Sequence, residues 1–418
     1  MLITIINKNY KVNFENLRFL FFILCLVQPI LFLKLFSLVF IILPKNRIQI
    51  FKDKAIQFYL IILLISIIHG ILYLNRNNYI YAYLLNILFW VLPLLAIIQI
   101  KYFIWKRDTN DLEKIFNTIF VVNLVFCIIQ YIEQCVKYMT LNPYSVHDAV
   151  GDYIVGIFGN ANVNMIILAI FTIYFFYNNK YIFSFLALIF ALMTTFNGGT
   201  IILTLAILYS IFFGSNISIK QRFIFLLIIL FGLIFIYTFS YNNLKYSLGF
   251  ISRSFILNDY TPLKLVSFIY TIKEWTLNFK NFFIGEGPAN FSSRVAFLVS
   301  GEYVSWWPDH LIYISDNFRR VNLNLWLFGE NNAFTNVNSF ANQPNMVYAQ
   351  IIGEYGLIGL LLFLFLYLKR WIIVNNKFNR LLTIFFIGIL FTDYWFEFFN
   401  VIVIFELIML YGQKKYSF

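Results

Sequence analysis

The sequence predicts an all-α polytopic membrane protein with about twelve transmembrane helices and one large external loop carrying short interfacial helices. Three observations predict it. Of 418 residues, 61% are hydrophobic and 12% charged, against about a quarter charged in a soluble domain. Ten apolar stretches run along the chain, most of them near the roughly 20 residues that cross a bilayer as a helix. One polar stretch, 241–346, is 106 residues long, while most other connections are short.

The first apolar stretch, 17–43, follows Lys8, Lys11 and Arg18 and precedes Lys45, Arg47, Lys52 and Lys54. Basic residues mark cytoplasmic flanks, so both its ends belong inside. It reads as a hairpin of two short or tilted helices turning near Gln28-Pro29. Stretches 55–74, 80–100, 115–136, 163–178, 181–197, 198–214 and 223–240 each read as one crossing, with Asn197-Gly198-Gly199 as a tight external turn. Residues 1–240 thus form an N-terminal bundle of about nine spans. After the large loop, 347–368 crosses once. The last stretch, 381–411, again lies between basic flanks, Lys369, Arg370, Lys377 and Arg380 before it and Lys414 and Lys415 after it. It reads as a second hairpin, turning near Asp393 to Glu397, so residues 347–418 hold about three spans. Most Lys and Arg fall in the segments placed inside, whereas the short external loops hold only Arg76 and Lys137. Both termini are therefore expected in the cytoplasm.

A net charge of +12 would suit a nucleic-acid partner in a soluble chain. Here it reflects basic cytoplasmic loops, and no nucleic acid is expected. Cys25, Cys127 and Cys135 all sit in or beside apolar spans, so neither a disulfide framework nor a zinc site is indicated. No metal and no cofactor is expected.

The large loop is too aromatic to be disordered, and loops above about 12–15 residues usually carry function. It holds Trp275, Trp306, Trp307 and Trp326 of the chain's eight tryptophans, a residue suited to the membrane–water interface. Residues 261–279 (TPLKLVSFIYTIKEWTLNF) carry apolar residues at helical spacing and read as a helix lying on the bilayer. The plain alternative for the whole loop is a packed external cap. Within it, FFIGEGPANFSSR (282–294) has a turn at Gly285 and Gly287 whose amides could approach an anion, with Arg294 close behind. Arg319 and Arg320 suit phosphate, because guanidinium contacts its oxygens in pairs; the alternative is ordinary solvated charge. His310, alone in the loop, suits proton transfer or a structural role. Asp309, His310 and Asp316 do not have the spacing of a known metal site.

Glu354 is the sharpest residue in the spans. It sits seven residues into its helix, about 10 Å deep at 1.5 Å per residue, and a charge at mid-bilayer costs about 2.5–3.5 kcal/mol unless it faces a cavity or a partner. Gln350 shares its face at i−4, with Asn345 and Tyr348 one turn earlier, while Gly356 and Gly359 permit close helix approach. A polar stripe descending from the loop into the bundle is expected; the alternative is a buried carboxylate that only ties helices together. No second acid is placed by spacing opposite Glu354, which disfavours a paired-carboxylate hydrolase.

The polar loop followed by a span with Tyr348, Gln350, Glu354, Gly356 and Gly359 resembles the closing motif of the O-antigen polymerase and ligase superfamily. IGEGPANFSSR is similar to the Gly-x-Gly-Pro turn of that family's large external loop, and GIFGNANVN (156–164) resembles its earlier loop-to-helix transition. The chain departs in having Asn345-Met346 where the closing motif often opens with His-Asn. Arginines often seen at two further places are replaced by Asp152 or Ile154, and by Lys264 or Ser267.

The resemblance implies a glycosyltransferase of the cytoplasmic (inner) membrane whose substrate is a polyprenyl-pyrophosphate-linked glycan. It would join oligosaccharide repeat units of O-antigen, capsule or exopolysaccharide on the external face, alongside membrane lipid, a flippase and a chain-length regulator. From their own chemistry Glu354, His310 and Asn345 are the catalytic candidates: Asn345 can hydrogen-bond a sugar hydroxyl or phosphate but cannot act as a base, which leaves His310 and the preferred Glu354. Arg294, Arg319, Arg320 and Lys264, with Gly285, Gly287, Tyr348 and Gln350, would hold substrate and pyrophosphate. An O-antigen ligase is the alternative, disfavoured by the missing histidine. A flippase for the same lipid-linked glycan is a further one, disfavoured because charge concentrates in the loop rather than mid-span.

Overall fold

The structure is a computed structural model. It describes residues 14–41, 51–73, 75–145, 153–213, 219–239, 261–302, 307–331, 343–373 and 376–416, with 241, 245, 249, 252 and 304 besides. Lys8, Lys11, Lys45, Arg47, Asp152 and Trp306 lie outside the described residues.

The architecture is helical, with no strand among the described residues. Among the described residues, nine α-helices precede the large loop: α1 (Phe14–Val27), α2 (Leu31–Phe36), α3 (Lys54–Tyr73), α4 (Tyr79–Lys106), α5 (Thr109–Tyr138), α6 (Ala161–Tyr177), α7 (Tyr181–Met193), α8 (Asn197–Phe213) and α9 (Ile219–Phe239). The loop contributes α10 (Leu263–Trp275), α11 (Phe279–Ile284), α12 (Arg294–Val299) and an irregular helical run that ends in α13 (Asn324–Asn331). Three helices close the chain, α14 (Val347–Leu362), α15 (Lys377–Ile389) and α16 (Phe399–Tyr416).

Among the described residues, four helical stretches are long and apolar enough to cross a membrane: Lys54–Tyr73, Tyr79–Lys106, Thr109–Tyr138 and Val347–Ile372. Apolar helices of this kind mark a membrane-embedded protein. Among the described residues the expected count of about twelve is not reached by full-length helices, and α1, α2, α6 to α8 and α15 are all shorter. The first hairpin does turn at Gln28-Pro29, and Arg18 near its start donates to the carbonyls of Phe40 (2.9 Å) and Ile41 (2.6 Å) at its end. The second breaks between Leu390 and Phe398, around Asp393 and Glu397. The expected turn at Asn197-Gly198-Gly199 is corrected. The chain reverses at Thr194–Phe196, with Thr195 left-handed at φ 60°, and Asn197 already opens α8. The two glycines lie in its first turn, where Gly199 packs tightly on Met165 and Phe196.

Charge sorts to the two ends of the bundle. Glu15 pairs with Arg107 (2.6 Å), Glu113 with Lys180 (3.2 Å) and Lys415 (2.8 Å), and Arg370 with Glu406. These groups bring the first and last described residues to one end, and the large loop packs on the other. α16 runs between them as the central helix, with every residue from Phe399 to Gly412 buried.

α10 is amphipathic with its polar face inward. Ser267, Thr271 and Glu274 are buried, while Leu265, Ile269 and Tyr270 are exposed. Water would invert this pattern, and an apolar medium beside the helix suits it.

Candidate active site

The loop residues Gly285 to Arg294 and helix α14 are built around each other. α14 is not a continuous helix, because Gly356 takes φ 62° and ψ −157°, a conformation that only glycine adopts readily. The break frees carbonyls of the preceding turn, and in a bilayer freed carbonyls need protein donors. The Glu286 amide donates to Gly353 O (2.8 Å) and the Gly287 amide to Glu354 O (3.0 Å). A Cβ on Gly356 would sit 2.6–2.7 Å from backbone atoms of Phe283, Ile284 and Gly285. One on Gly285 would meet the backbone of Glu354 and Tyr355 at 2.4–2.6 Å. Both glycines are there because two backbones touch.

This contact fixes Glu354, which is fully buried. Its Oε1 accepts the Ala289 amide at 2.8 Å, and Ser293 and Phe291 face the same carboxylate. The amide that approaches an anion is therefore that of Ala289, just past the Gly-Glu-Gly-Pro turn, and the anion is the protein's own Glu354, while the amides of Gly285, Glu286 and Gly287 are taken by backbone carbonyls. Beside Glu354, Tyr355 anchors the helix, accepting from Trp90 Nε1 (2.7 Å) and donating to Asn86 Oδ1 (3.2 Å). Below the turn lies His69, whose Nε2 stands 3.4 Å from Gly285 O.

The expectation of no second acid is corrected. Glu397, in the turn before α16, is close enough to Glu354 for their charges to interact. Its Oε2 accepts the Arg294 amide at 2.6 Å. The Arg294 guanidinium lies 3.9 Å from the Phe398 ring, with Nη1 directed at Glu397 O (3.4 Å). Lys34, a buried lysine of α2, lies 5.4 Å over the Phe399 ring and close enough to feel Arg294.

Lys264 and Asn345 also meet here, though by backbone. The Lys264 ammonium donates to Asn345 O (2.5 Å) and Thr392 O (2.9 Å), with Asp393 nearby. Burial pushes this ammonium down to about 7. Among the described residues no hydrogen bond of good geometry reaches either polar atom of Gln350, Glu354 Oε2, Glu397 Oε1 or Asn345 Oδ1, although Ser293 faces Glu354, Gln350 faces Glu397 and Asn345 faces Asp393. Each such atom costs about 1–3 kcal/mol in a finished core, and buried polar atoms are normally paired. Here they crowd into one place.

The remaining candidates lie elsewhere. His310 is exposed in a short turn, and its carbonyl accepts from Asn78 (3.0 Å). Arg319 and Arg320 are exposed, and Arg320 pairs with Glu274 at 2.7 Å. Tyr348 turns away from the polar stripe: its hydroxyl donates to Ile387 O (3.1 Å) and its ring packs on Phe391 at 4.3 Å. Asn345 precedes the helix, which begins at Val347.

The GIFGNANVN segment serves a different purpose. Asn123 bridges it to α5, donating to Asn164 Oδ1 (2.8 Å) and accepting from the Ile157 amide (3.0 Å). Gln130 and Gly156 exchange two further hydrogen bonds, so this loop is pinned to the bundle. Comparison with protein-family models, with characterised proteins and with solved structures finds no match.

Proposed function

We propose that this protein polymerises polyprenyl-pyrophosphate-linked oligosaccharide repeat units on the external face of the cytoplasmic membrane. The observation that carries the reading is the cluster of buried, incompletely hydrogen-bonded polar atoms of Glu354, Gln350, Glu397 and Asn345, flanked by Arg294, Lys34 and Lys264. A polar, water-poor site with acids and cations at one end of a membrane bundle suits a lipid-linked, sugar-bearing anion.

In this mechanism an acceptor hydroxyl attacks the anomeric carbon of the growing glycan. The new carbon–oxygen bond forms as the anomeric carbon–phosphate oxygen bond breaks, and the electron pair leaves with the lipid pyrophosphate. Glu354 takes the hydroxyl proton as general base. Arg294 and Lys34 offset the charge that grows on the departing pyrophosphate. Asn345 and Gln350 offer amides to sugar hydroxyls. No nucleotide sugar is required, because the pyrophosphate is the leaving group.

Placement follows from charge. The bundle end that holds Lys106, Arg107, Lys180, Arg370 and Lys415 suits the cytoplasm, which supports a large loop outside and both termini inside. The outward apolar face of α10 suits the bilayer surface beside the loop. The test is reconstitution of the purified protein in lipid with a polyprenyl-pyrophosphate-linked repeat unit. A ladder of products differing by one repeat supports the reading, and recovery of unreacted substrate at every protein concentration removes it.

A further inference from the structure

A second recess lies on the outer side of the same loop. It measures about 720 Å³ and opens between the α3–α4 connection and the segments around Glu286 and Ile312 to Asn317, a size typical of small-ligand sites. Its lining is amide-rich, with Asn75, Asn77, Asn78, Asn290 and Asn317, and its only aliphatic members are Ile312 and Ile314. Asn290 is part of that lining and is 1% exposed. Its Oδ1 accepts from Arg76 (3.2 Å) and from the Tyr313 hydroxyl, and its Nδ2 donates to Glu286 O (3.1 Å). Ser315 Oγ donates to Asn290 O (2.5 Å), so the floor is held rigid.

We infer that this recess recognises a sugar of the glycan, and that it takes neutral or amino sugars and turns away uronic acids. The inference rests on the polymerase reading and adds a specificity to it. Carboxamides present a donor and an acceptor side by side, which matches vicinal hydroxyls, and the Tyr313 ring offers an apolar wall for a sugar face. Charge sets the preference. The lining carries two carboxylates, Glu286 and Asp316, and one cation, Arg76. Its Nη1 donates to Asn290 and to Tyr313 (3.4 Å) and its guanidinium lies 4.1 Å from the Tyr73 ring, contacts that hold it in place. Lys280 also lies over Tyr73, at 4.5 Å, where it faces Glu286. A uronate entering here would meet two acids against one cation of the lining.

The recess adjoins the reacting centre through one residue. Ala289, whose amide holds Glu354, precedes Asn290, so a sugar seated on Asn290 is fixed relative to that carboxylate.

The experiment places full-length protein in lipid nanodiscs on an array of free neutral, amino-sugar and uronate oligosaccharides. Binding confined to neutral or amino-sugar probes is expected. Asn290→Ala should weaken it at least tenfold, with melting followed alongside. If that variant melts early, Asn317→Ala and Asp316→Lys on the rim are read instead. The first should weaken neutral probes several-fold, and the second should admit uronates. Uronates bound as well as neutral probes by the unaltered protein, no probe bound at all, or rim variants that change nothing would each overturn the inference. Binding without any ladder from lipid-linked substrate would leave the recess standing and remove the polymerase. A normal ladder from every recess variant would remove the recess alone.

Discussion

Gly356→Ala tests the junction on which the site depends. The added methyl meets three backbone atoms at 2.6–2.7 Å, none of which can swing away as a side chain would. At φ 62° and ψ −157° the backbone itself costs an alanine about 1–3 kcal/mol. Relief requires the loop to lift off α14, which breaks the Glu286–Gly353 and Gly287–Glu354 hydrogen bonds and strains that of Ala289 to Glu354. At about 0.5–1.5 kcal/mol for each bond, a total near 2–6 kcal/mol is expected. The assay is thermal melting in detergent, read with the polymer ladder. Gly356→Ala should melt several degrees lower and lose the ladder. Gly232→Ala, whose methyl meets only Leu192 at 3.8 Å, should match the unaltered protein. If both variants melt alike and both polymerise, the docked-loop account of the site is wrong.

Glu354→Gln keeps an acceptor for the Ala289 amide but cannot take a proton near neutral pH. It should melt close to the unaltered protein and lose at least a hundredfold in rate, in line with the usual weight of a general base. Arg294→Lys keeps charge but loses the guanidinium contacts with Glu397 and Phe398, so product yield should fall at least tenfold, whereas Arg319→Ala should leave yield near normal. Lys264 has a folded value of about 7 against about 10.4 unfolded, so above pH 7 the unfolded chain holds a proton that the folded one has lost. Stability should rise from pH 7 to pH 10, by at most about 1.4 kcal/mol per pH unit, and a melting series on Lys264→Met should show that rise flattened.

Hydrophobic run length and basic flanks made both hairpins legible, because the turns at Gln28-Pro29 and at Asp393 to Glu397 are where the chain must leave an apolar medium. Glu354 was legible because a lone carboxylate in an apolar span demands a partner. The partner was not legible. Glu397 lies in a turn, where acids are ordinarily solvated, and only the packing of that turn against Arg294 buries it. Gly356 reads as a packing glycine in a helix, since spacing cannot distinguish close approach from a break. Adjacent arginines at 319 and 320 carry the same pattern whether they meet phosphate or Glu274. Tyr348 and Gln350 are two residues apart, and two residues turn a helix through more than half a circle, so Tyr348 left the stripe. Asn290 gave no signal in a chain so rich in asparagine.

As proposed, the chain joins repeat units rather than moving finished glycan to an acceptor. Cells lacking the protein, with their glycans separated by size and by attachment, test it most directly. The account predicts single repeat units on the normal acceptor and no ladder above them. Long chains accumulating on the lipid carrier would contradict it, because ligation would then be the missing step.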